Sequence, residues 1–247
     1  MLLRLQLGTR EFSASWGMAA LCLVGVVLFL QLGRWQWHRA AEKRALADDF
    51  RRGSERVIEL GSRSSAELAR YAQVRVSGRY DGAHQFLLDN MSHAGQAGYE
   101  VLTPLDLNDG RTLLVDRGWV PLGASRAVLP DVRIPVSPDS AERAVSGRLD
   151  ELPVTGIALG RAPPPLTGPW PRLTSFPRIE ELTAALGRRL ERRRLLLNGD
   201  QPEGYARDWH PSGLTAERHI GYAVQWWALG ALAAVLFLSL NLRRRRA

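Results

Sequence analysis

The stretch that decides the fold is TAERHIGYAVQWWALGALAAVLFLSLNLRRRR, which runs from Thr215 to Arg246. No Asp, Glu, Lys or Arg lies between Arg218 and Arg243. A helix that rises about 1.5 Å per residue needs roughly 20 apolar residues to cross the hydrocarbon core of a membrane. Thr215 is suited to cap the first turn of such a helix. The stretch therefore predicts a membrane-spanning helix over residues 215–242 and a basic cytoplasmic tail over 243–247.

A second uncharged run, from Phe12 to Gly33, predicts another membrane span over residues 12–33. Trp16 lies near one end of this run and Trp35 near the other, as in the aromatic belts of the two membrane interfaces. The residues before it are too few and too plain for a cleavable signal, so we interpret the run as an uncleaved first helix. Apolar and charged residues then recur at three- and four-residue spacing, which predicts that the helix continues to about residue 52.

Two spans place both termini on the same side of the membrane. The arginine block over 243–246 favours cytoplasmic termini under the positive-inside rule, although basic residues also crowd the far end of the first span: Arg34, Arg39, Lys43 and Arg44. We give the block more weight. Residues 53–214 are then expected to form an extracytoplasmic domain, on the periplasmic side of a bacterial inner membrane.

The middle of the chain alternates apolar and polar residues as half-buried strands do. One hairpin is predicted between Gln73–Tyr80 and residues 85–88, and a second between Tyr99–Leu107 and residues 111–120. Pro104 predicts an edge or a bulge in the second hairpin, because proline cannot donate to the ladder. Shorter strands are predicted over residues 145–149, 156–161 and 194–198.

A short helix from Ile179 to a C-terminal cap at Gly187 completes the predicted elements. The expected fold class is a membrane-anchored α+β protein. Its two transmembrane helices flank a mostly antiparallel β domain, a barrel or a sandwich, with one short helix.

Composition excludes several functions. The net charge of +8 in 247 residues belongs largely to the terminal arginines, so we expect no nucleic-acid partner. Cys22 is the single cysteine, which excludes an intramolecular disulfide and a thiolate metal cage. The motifs of common enzyme classes are absent, and we expect no catalytic activity. We interpret the carboxylates Asp106, Asp109 and Asp116 as turn formers, and five arginines as a solvated surface: Arg188, Arg189, Arg192, Arg193 and Arg194.

The histidines at the membrane edge are the main candidates for chemistry. His219 falls in the second turn of the last helix, and Tyr222 and Trp226 continue its face at three and seven residues. Arg34 and Arg39 flank His38 at the same depth of the first helix. Imidazole can ligate haem iron, and arginine can pair with haem propionates. An aromatic and polar belt at the interface is the commoner meaning of such a pattern, and both interpretations stay open at this point.

Four ordered motifs resemble one protein family. They are LGRWQWHRAAEK over 32–43, GQAGYEVLTPL over 95–105, LLVDRGWVP over 113–121 and HIGYAVQWWALG over 219–230. Together they are similar to the Surfeit-locus-one family of cytochrome c oxidase assembly proteins. The resemblance implies a non-enzymatic factor that assists maturation of oxidase subunit I. Bacterial members of the family are associated with binding haem a and handing it on.

The resemblance also implies site residues and partners. The family's histidine in H-x-x-Y-A-x-Q-W falls on His219, the candidate ligand of haem iron, and we expect Tyr222, Trp226, Arg34 and Arg39 to support the cofactor. The expected partners are oxidase subunit I, the lipid bilayer and, as a further candidate, haem a synthase. Other motif residues have a less defined role: Gly98, Tyr99, Arg117, Gly118 and Trp119. The chain departs from the family pattern at Met91, Asp116 and Trp227.

Two rival functions remain on the sequence alone. One is a protein-only scaffold that holds an oxidase subunit during assembly without binding haem. The other is a periplasmic hydrolase or sensor, which would need a convergent polar site in the β domain.

Overall fold

The structure, a computed structural model, describes residues 2–7, 10–53, 55–123, 126, 128–134, 142–154, 160–211 and 213–244. Its helices are α1 Trp16–Arg52, α2 Ile179–Leu186 and α3 Ala216–Asn241. Its strands are β1 Leu2–Leu7, β2 Arg10–Ser15, β3 Val57–Glu59, β4 Gln73–Tyr80, β5 Phe86–His93, β6 Gln96–Leu107, β7 Thr112–Pro121, β8 Arg143–Asp150, β9 Arg172–Thr174, β10 Arg194–Leu197 and β11 Leu242–Arg244. The chain divides into two compact units, residues 1–47 with 213–247, and residues 48–212.

The first unit contains most of α1 and all of α3, which are antiparallel. Helices α1 and α3 are both long and apolar enough to cross a membrane. The sulfur of Cys22, early in α1, lies 3.9 Å from the carbonyl oxygen of Ala233, late in α3. Gln36, later in α1, contacts His219, early in α3. These two contacts show that α1 and α3 are antiparallel.

The ends of the helix pair differ from the prediction. Helix α1 begins at Trp16 and not at Phe12, because residues 10–15 form β2. Strand β2 pairs antiparallel with β1 and with β11, which uses the first arginines of the basic tail. Phe12 also packs edge-on against Phe237 of α3, with ring centroids 5.7 Å apart. The backbone hydrogen bonds of these residues are therefore made by strand pairing, where the sequence predicts the first helical turn.

The second unit contains a closed five-stranded barrel. Strand β4 pairs antiparallel with β8, and β8 with β10; β10 pairs parallel with β7; β7 pairs antiparallel with β6, and β6 returns to β4. The interior draws one apolar residue or more from each of these strands: Val74, Leu105, Val115, Val145 and Leu195. The expected fold class is confirmed, and ring closure selects the barrel over the sandwich.

The first predicted hairpin is wrong. Strands β4 and β5 do not pair with each other, because both pair with the long strand β6 at different places. Along β6, the pairing with β5 ends at Leu102, and the pairing with β4 begins at Leu105. Pro104 lies where one partner gives way to the other, so its missing N–H leaves no ladder bond unmade, and its carbonyl accepts from the Asp81 amide at 2.8 Å.

The second predicted hairpin is confirmed as β6 and β7, with Leu105 opposite Leu113 and a register shift between Glu100 and Leu102. The predicted strands over 145–149 and 194–198 correspond to β8 and β10. Residues 155–159 lie outside the described residues, and the rest of the strand predicted over 156–161 is not extended in a sheet.

The predicted short helix is confirmed as α2. The carboxylate of Glu181 accepts from the Arg178 amide at 2.8 Å at its start, and Gly187 ends it with a φ of 73°. Its buried side chain Leu182 packs with Phe86 and Leu114 in a core outside the barrel.

Candidate functional site

His219 lies in the packing face of α3. The buried residues of this helix are Ala216, His219, Ala223 and Gly230. They are separated by three, four and seven residues, the spacing of a seam between two helices. His219 is only 7% exposed, and its ring nitrogen Nδ1 lies 2.7 Å from Oε1 of Gln36 in α1. The candidate ligand is therefore a buried residue between the helices and not part of an exposed belt.

The contact with Gln36 determines which nitrogen of His219 is available. An amide oxygen can only accept a hydrogen bond, so Nδ1 carries the proton and donates it to Oε1. In a neutral imidazole the other nitrogen, Nε2, then keeps its lone pair. No described residue forms a hydrogen bond with Nε2. This is the tautomer in which a histidine ligates a metal through Nε2 while a carbonyl group holds the ring.

Small residues bring the two helices close enough for this contact. A Cβ added at Gly33 would lie 2.2 Å from Nε1 of Trp227, so the indole packs against the bare backbone of α1. A Cβ at Gly230 would lie 3.4 Å from the Cβ of Phe29. Glycine at these positions allows close approach of helices in a membrane.

Trp226 serves the same packing. Its ring stacks on Phe29 of α1 with centroids 5.8 Å apart. It lies seven residues after His219, about 10 Å along the helix axis. The structure therefore places Trp226 in the helix pair, two turns away from the imidazole.

Arg39 and Tyr222 lie on one flank of the His219–Gln36 contact. Tyr222, 41% exposed, follows His219 by three residues, and Arg39 follows Gln36 by three. An antiparallel helix pair has approximate two-fold symmetry, so residues at equivalent positions of the two helices lie on the same side of the pair. Arg39 is exposed and its guanidinium pairs with Glu42 at 2.5 Å.

Arg34 lies elsewhere. It precedes Gln36 by two residues, or about 200° around the helix, so it emerges on the face of α1 opposite His219. Its Nε approaches Nε2 of His38 at 3.5 Å. The structure thus joins His219 to Gln36. Tyr222 and Arg39 lie on one flank of this contact, each about one turn from it in opposite directions along the pair, and Arg34 lies on the opposite face.

Gln36 is the site residue that the sequence reasoning missed. Its signal is present in the first motif, where Gly33, Gln36 and Ala40 recur at three- and four-residue spacing. Gly33 and Ala40 are the buried residues of α1, so Gln36 is a polar residue in an otherwise small and apolar seam. Such a residue in a membrane helix needs a partner across the pair.

The donor set suits haem better than a bare ion. The described residues hold no group of three or more His, Cys, Asp or Glu side chains that could enclose a metal ion. Haem supplies four equatorial nitrogens of its own and needs only one or two axial ligands from the protein, of which histidine is a common one. The imidazole of His219, held at Nδ1 by a carbonyl oxygen and with Nε2 free, therefore matches the kind of ligand that haem takes from a protein.

A network of buried charged side chains lies in the barrel unit. Arg194, buried in β10, donates to Glu100 at 2.6 Å and also to Asp116, which is fully buried. Burial, with Glu100 nearby, raises the pKa of Asp116 well above its usual value. Burial opposes the charge of Glu100 too, but Arg194 outweighs it and holds the pKa of Glu100 below its usual value. The interpretation of Asp116 as a turn former is wrong, since it lies within β7 and binds a buried arginine.

The basic cluster is only partly a solvated surface. Arg194 is buried, Arg188 pairs with Asp81 and Asp106, and Arg193 donates to backbone carbonyls at Ser65 and Leu68. Arg189 and Arg192 are exposed. Most of this cluster therefore ties loops to the barrel.

A cleft of about 440 Å³ in the barrel unit brings a hydroxyl and a carboxylate together, as a hydrolytic site would require. The hydroxyl of Ser64 lies 3.1 Å from Glu191. Burial opposes the charge of Glu191, but hydrogen bonds from Ser65, Arg111 and Ser64 outweigh it and lower its pKa. A carboxylate stabilised in this way is a weak base, which gives no support to the hydrolase alternative.

The remaining motif residues have structural surroundings. A Cβ at Gly98 would lie 2.1 Å from the carbonyl oxygen of Val120. Gly118 has a φ of 108°, and a Cβ there would lie 2.7 Å from the carbonyl oxygen of Ala206. Arg117, 2% exposed, donates to the carbonyl of Glu203 at 2.8 Å and to backbone and side-chain oxygens of the surrounding loops. These positions stabilise the barrel and its connections.

Comparison with known proteins identifies the family. A model of the SURF1 family matches residues 23–231, which include most of α1, the barrel unit and the first half of α3. A SURF1-like protein from Caenorhabditis briggsae is 28% identical over 131 residues, covering 43% of this chain and 41% of the relative. The aligned part thus spans less than half the length of that curated relative. The family resemblance is confirmed, and the chain belongs to the SURF1 family, a family of cytochrome c oxidase assembly proteins.

Proposed function

We propose that this protein assists assembly of cytochrome c oxidase by holding haem a at His219 and presenting it to subunit I. Family membership supports a role in oxidase assembly. The observation that supports haem binding is the contact of His219 Nδ1 with Gln36 Oε1 at 2.7 Å. This contact leaves the lone pair of Nε2 available to a metal. The proposed location is the bacterial inner membrane, with cytoplasmic termini and a periplasmic β domain. Haem a synthase is the proposed source of the cofactor.

Each residue of the helix pair has a distinct part in this proposal. His219 offers the lone pair of Nε2 to the iron, and Gln36 holds the imidazole ring. The packing of Trp226 on Phe29 and of Trp227 on Gly33 keeps the two helices together. Haem a itself is the redox cofactor that the oxidase needs, and here it is the cargo.

The exposed flank of the pair supplies the remaining contacts. Tyr222 offers a phenol, and Arg39 a guanidinium that can exchange Glu42 for a propionate carboxylate. We propose these two residues as contacts of the haem edge. Arg34 lies on the opposite face of α1 from Gln36. It would contact a propionate only if the haem extended around α1.

The test is the haem content of purified protein. Wild type, His219→Ala and His210→Ala are purified from cells that make haem a; His210 is an exposed histidine in the barrel unit. We expect His219→Ala to lose the haem and its spectrum, and His210→Ala to keep both. Equal haem content in all three would refute the ligand role. If none of the three proteins contained haem and subunit I co-purified with all of them, the protein-only scaffold would be the better account.

A further inference from the structure

We infer that Gln36 is a positioning residue, which fixes the tautomer and the donor strength of His219 from the neighbouring helix. The inference rests on the proposed function of His219 as a haem ligand. Gln36 contacts the imidazole of His219 through Oε1, so it would act on a bound haem only through that ring.

Gln36 is the polar group that determines which nitrogen of His219 carries the proton. At 2.7 Å the Nδ1–Oε1 contact is short for a hydrogen bond between nitrogen and oxygen. The other polar side chains at this level of α1 are turned to other partners: Arg34 to His38, and Arg39 to Glu42. Among the described residues, Gln36 is therefore the one side chain that receives the Nδ1 proton.

Burial leaves the Nδ1 of His219 little access to any partner other than Gln36. His219 is 7% exposed, so little water competes for Nδ1. A polar group left unpaired in such surroundings is costly, and the imidazole and the amide satisfy each other. Gly33 and Ala40, one turn before and after Gln36, are the buried residues of α1 and offer no polar side chain that could compete for Nδ1. The ring is thereby held in one orientation.

The hydrogen bond from His219 to Gln36 also affects how strongly Nε2 would bind a haem iron. A ligating histidine gains basicity when its other nitrogen donates to an oxygen, and loss of such a partner typically costs 10- to 100-fold in affinity for the bound group. A neutral amide oxygen is a weaker acceptor than a carboxylate. Gln36 therefore makes His219 a ligand of intermediate strength, which suits a protein that must give up its cargo.

The experiment compares two substitutions at this position in full-length protein. Gln36→Leu keeps the size of the side chain and removes the acceptor, whereas Gln36→Glu supplies a stronger one. Gln225→Leu, at an exposed position of α3, is the matched control. Each detergent-solubilised protein is titrated with haem a, and the dissociation constant, absorption spectrum and midpoint potential are measured.

We expect Gln36→Leu to weaken haem binding by about 10- to 100-fold and to shift the midpoint potential to more positive values. Gln36→Glu should bind at least as tightly as wild type with a more negative potential, and Gln225→Leu should match wild type. A purely structural role of Gln36 in helix packing would not move the potential in opposite directions.

Wild-type affinity and potential in both Gln36 variants, together with loss of haem in His219→Ala, would overturn the role of Gln36 and leave the proposed function intact. A wild-type potential in Gln36→Glu would overturn it also, even if Gln36→Leu bound haem poorly through misfolding. A wild-type protein without affinity for haem a would overturn the proposed function, and the role of Gln36 with it.

Discussion

Gly33→Val should separate the two membrane helices. A Cβ at this position would lie 2.2 Å from Nε1 of Trp227 and 2.4 Å from its Cδ1. Since non-bonded carbon atoms are most stable at about 3.5–4.0 Å, the indole or the helix must move by more than about 1 Å. Overpacking of this kind costs about 1–3 kcal/mol. That range corresponds to roughly a 5- to 150-fold loss in the ratio of packed to separated helices.

The native Cys22 allows a direct assay of helix packing. Its sulfur lies 3.9 Å from the carbonyl oxygen of Ala233, so Ala233→Cys provides a second thiol at the seam. Mild oxidation should join the two thiols and protect them from a maleimide reagent. This pair lies 11 residues, or about 16 Å, from Gly33 along α1, so it reports helix pairing and not a local change.

The matched control is Gly25→Val in the same helix, because a Cβ at Gly25 meets no atom within 4 Å. We expect full thiol protection with Gly25→Val and strongly reduced protection with Gly33→Val. Trp227→Phe, which shortens the opposing side chain, should restore part of the protection in a Gly33→Ala background. Equal protection in the Gly33→Val and Gly25→Val proteins would refute the reasoning.

Two predictions concern the barrel unit. The raised pKa of Asp116, caused by burial and by Glu100, means that the folded state keeps a proton that the unfolded state releases. Stability should therefore fall, as pH rises from the ordinary aspartate range towards the raised pKa, by up to about 1.4 kcal/mol per pH unit. Asp116→Asn should remove this fall in denaturant unfolding across pH, whereas the exposed Asp200→Asn should retain it; parallel curves for Asp116→Asn and wild type would contradict the assignment. Gly118→Ala should destabilise the protein by about 1–3 kcal/mol through its positive φ alone. Gly199→Ala, where a Cβ meets no atom within 4 Å, should be near neutral in the same thermal unfolding assay, and equal melting temperatures would count against the strain.

The parts of the fold that depend on local pattern could be predicted from the sequence. The charge-free runs before Arg34 and before Arg243 indicate the two long helices, and alternation around the turn at Asp109 indicates β6 and β7. The pairing of β4 with β6 could not be predicted, because register between distant strands depends on which partner remains free after closer pairs form. Local alternation therefore favoured the hairpin to β5.

The candidate site was predictable to a similar extent. His219 stands out as a histidine on an apolar helix, and the family motif indicates its role. Its partner Gln36 lies 183 residues away in the chain, and a glutamine near a membrane edge is ordinary in itself. Asp116 was assigned to a turn for the same reason, since the arginine that binds it is 78 residues away. The roles of Gln36 and Asp116 are therefore visible only once the folded structure brings their partners to them.

Chemical rescue of His219→Gly tests the central claim most directly. The substitution removes the imidazole and leaves a space of its shape between the helices. The account predicts that the variant, titrated with haem a, lacks the wild-type spectrum, and that added free imidazole restores it. A wild-type haem spectrum in His219→Gly without imidazole would contradict the account.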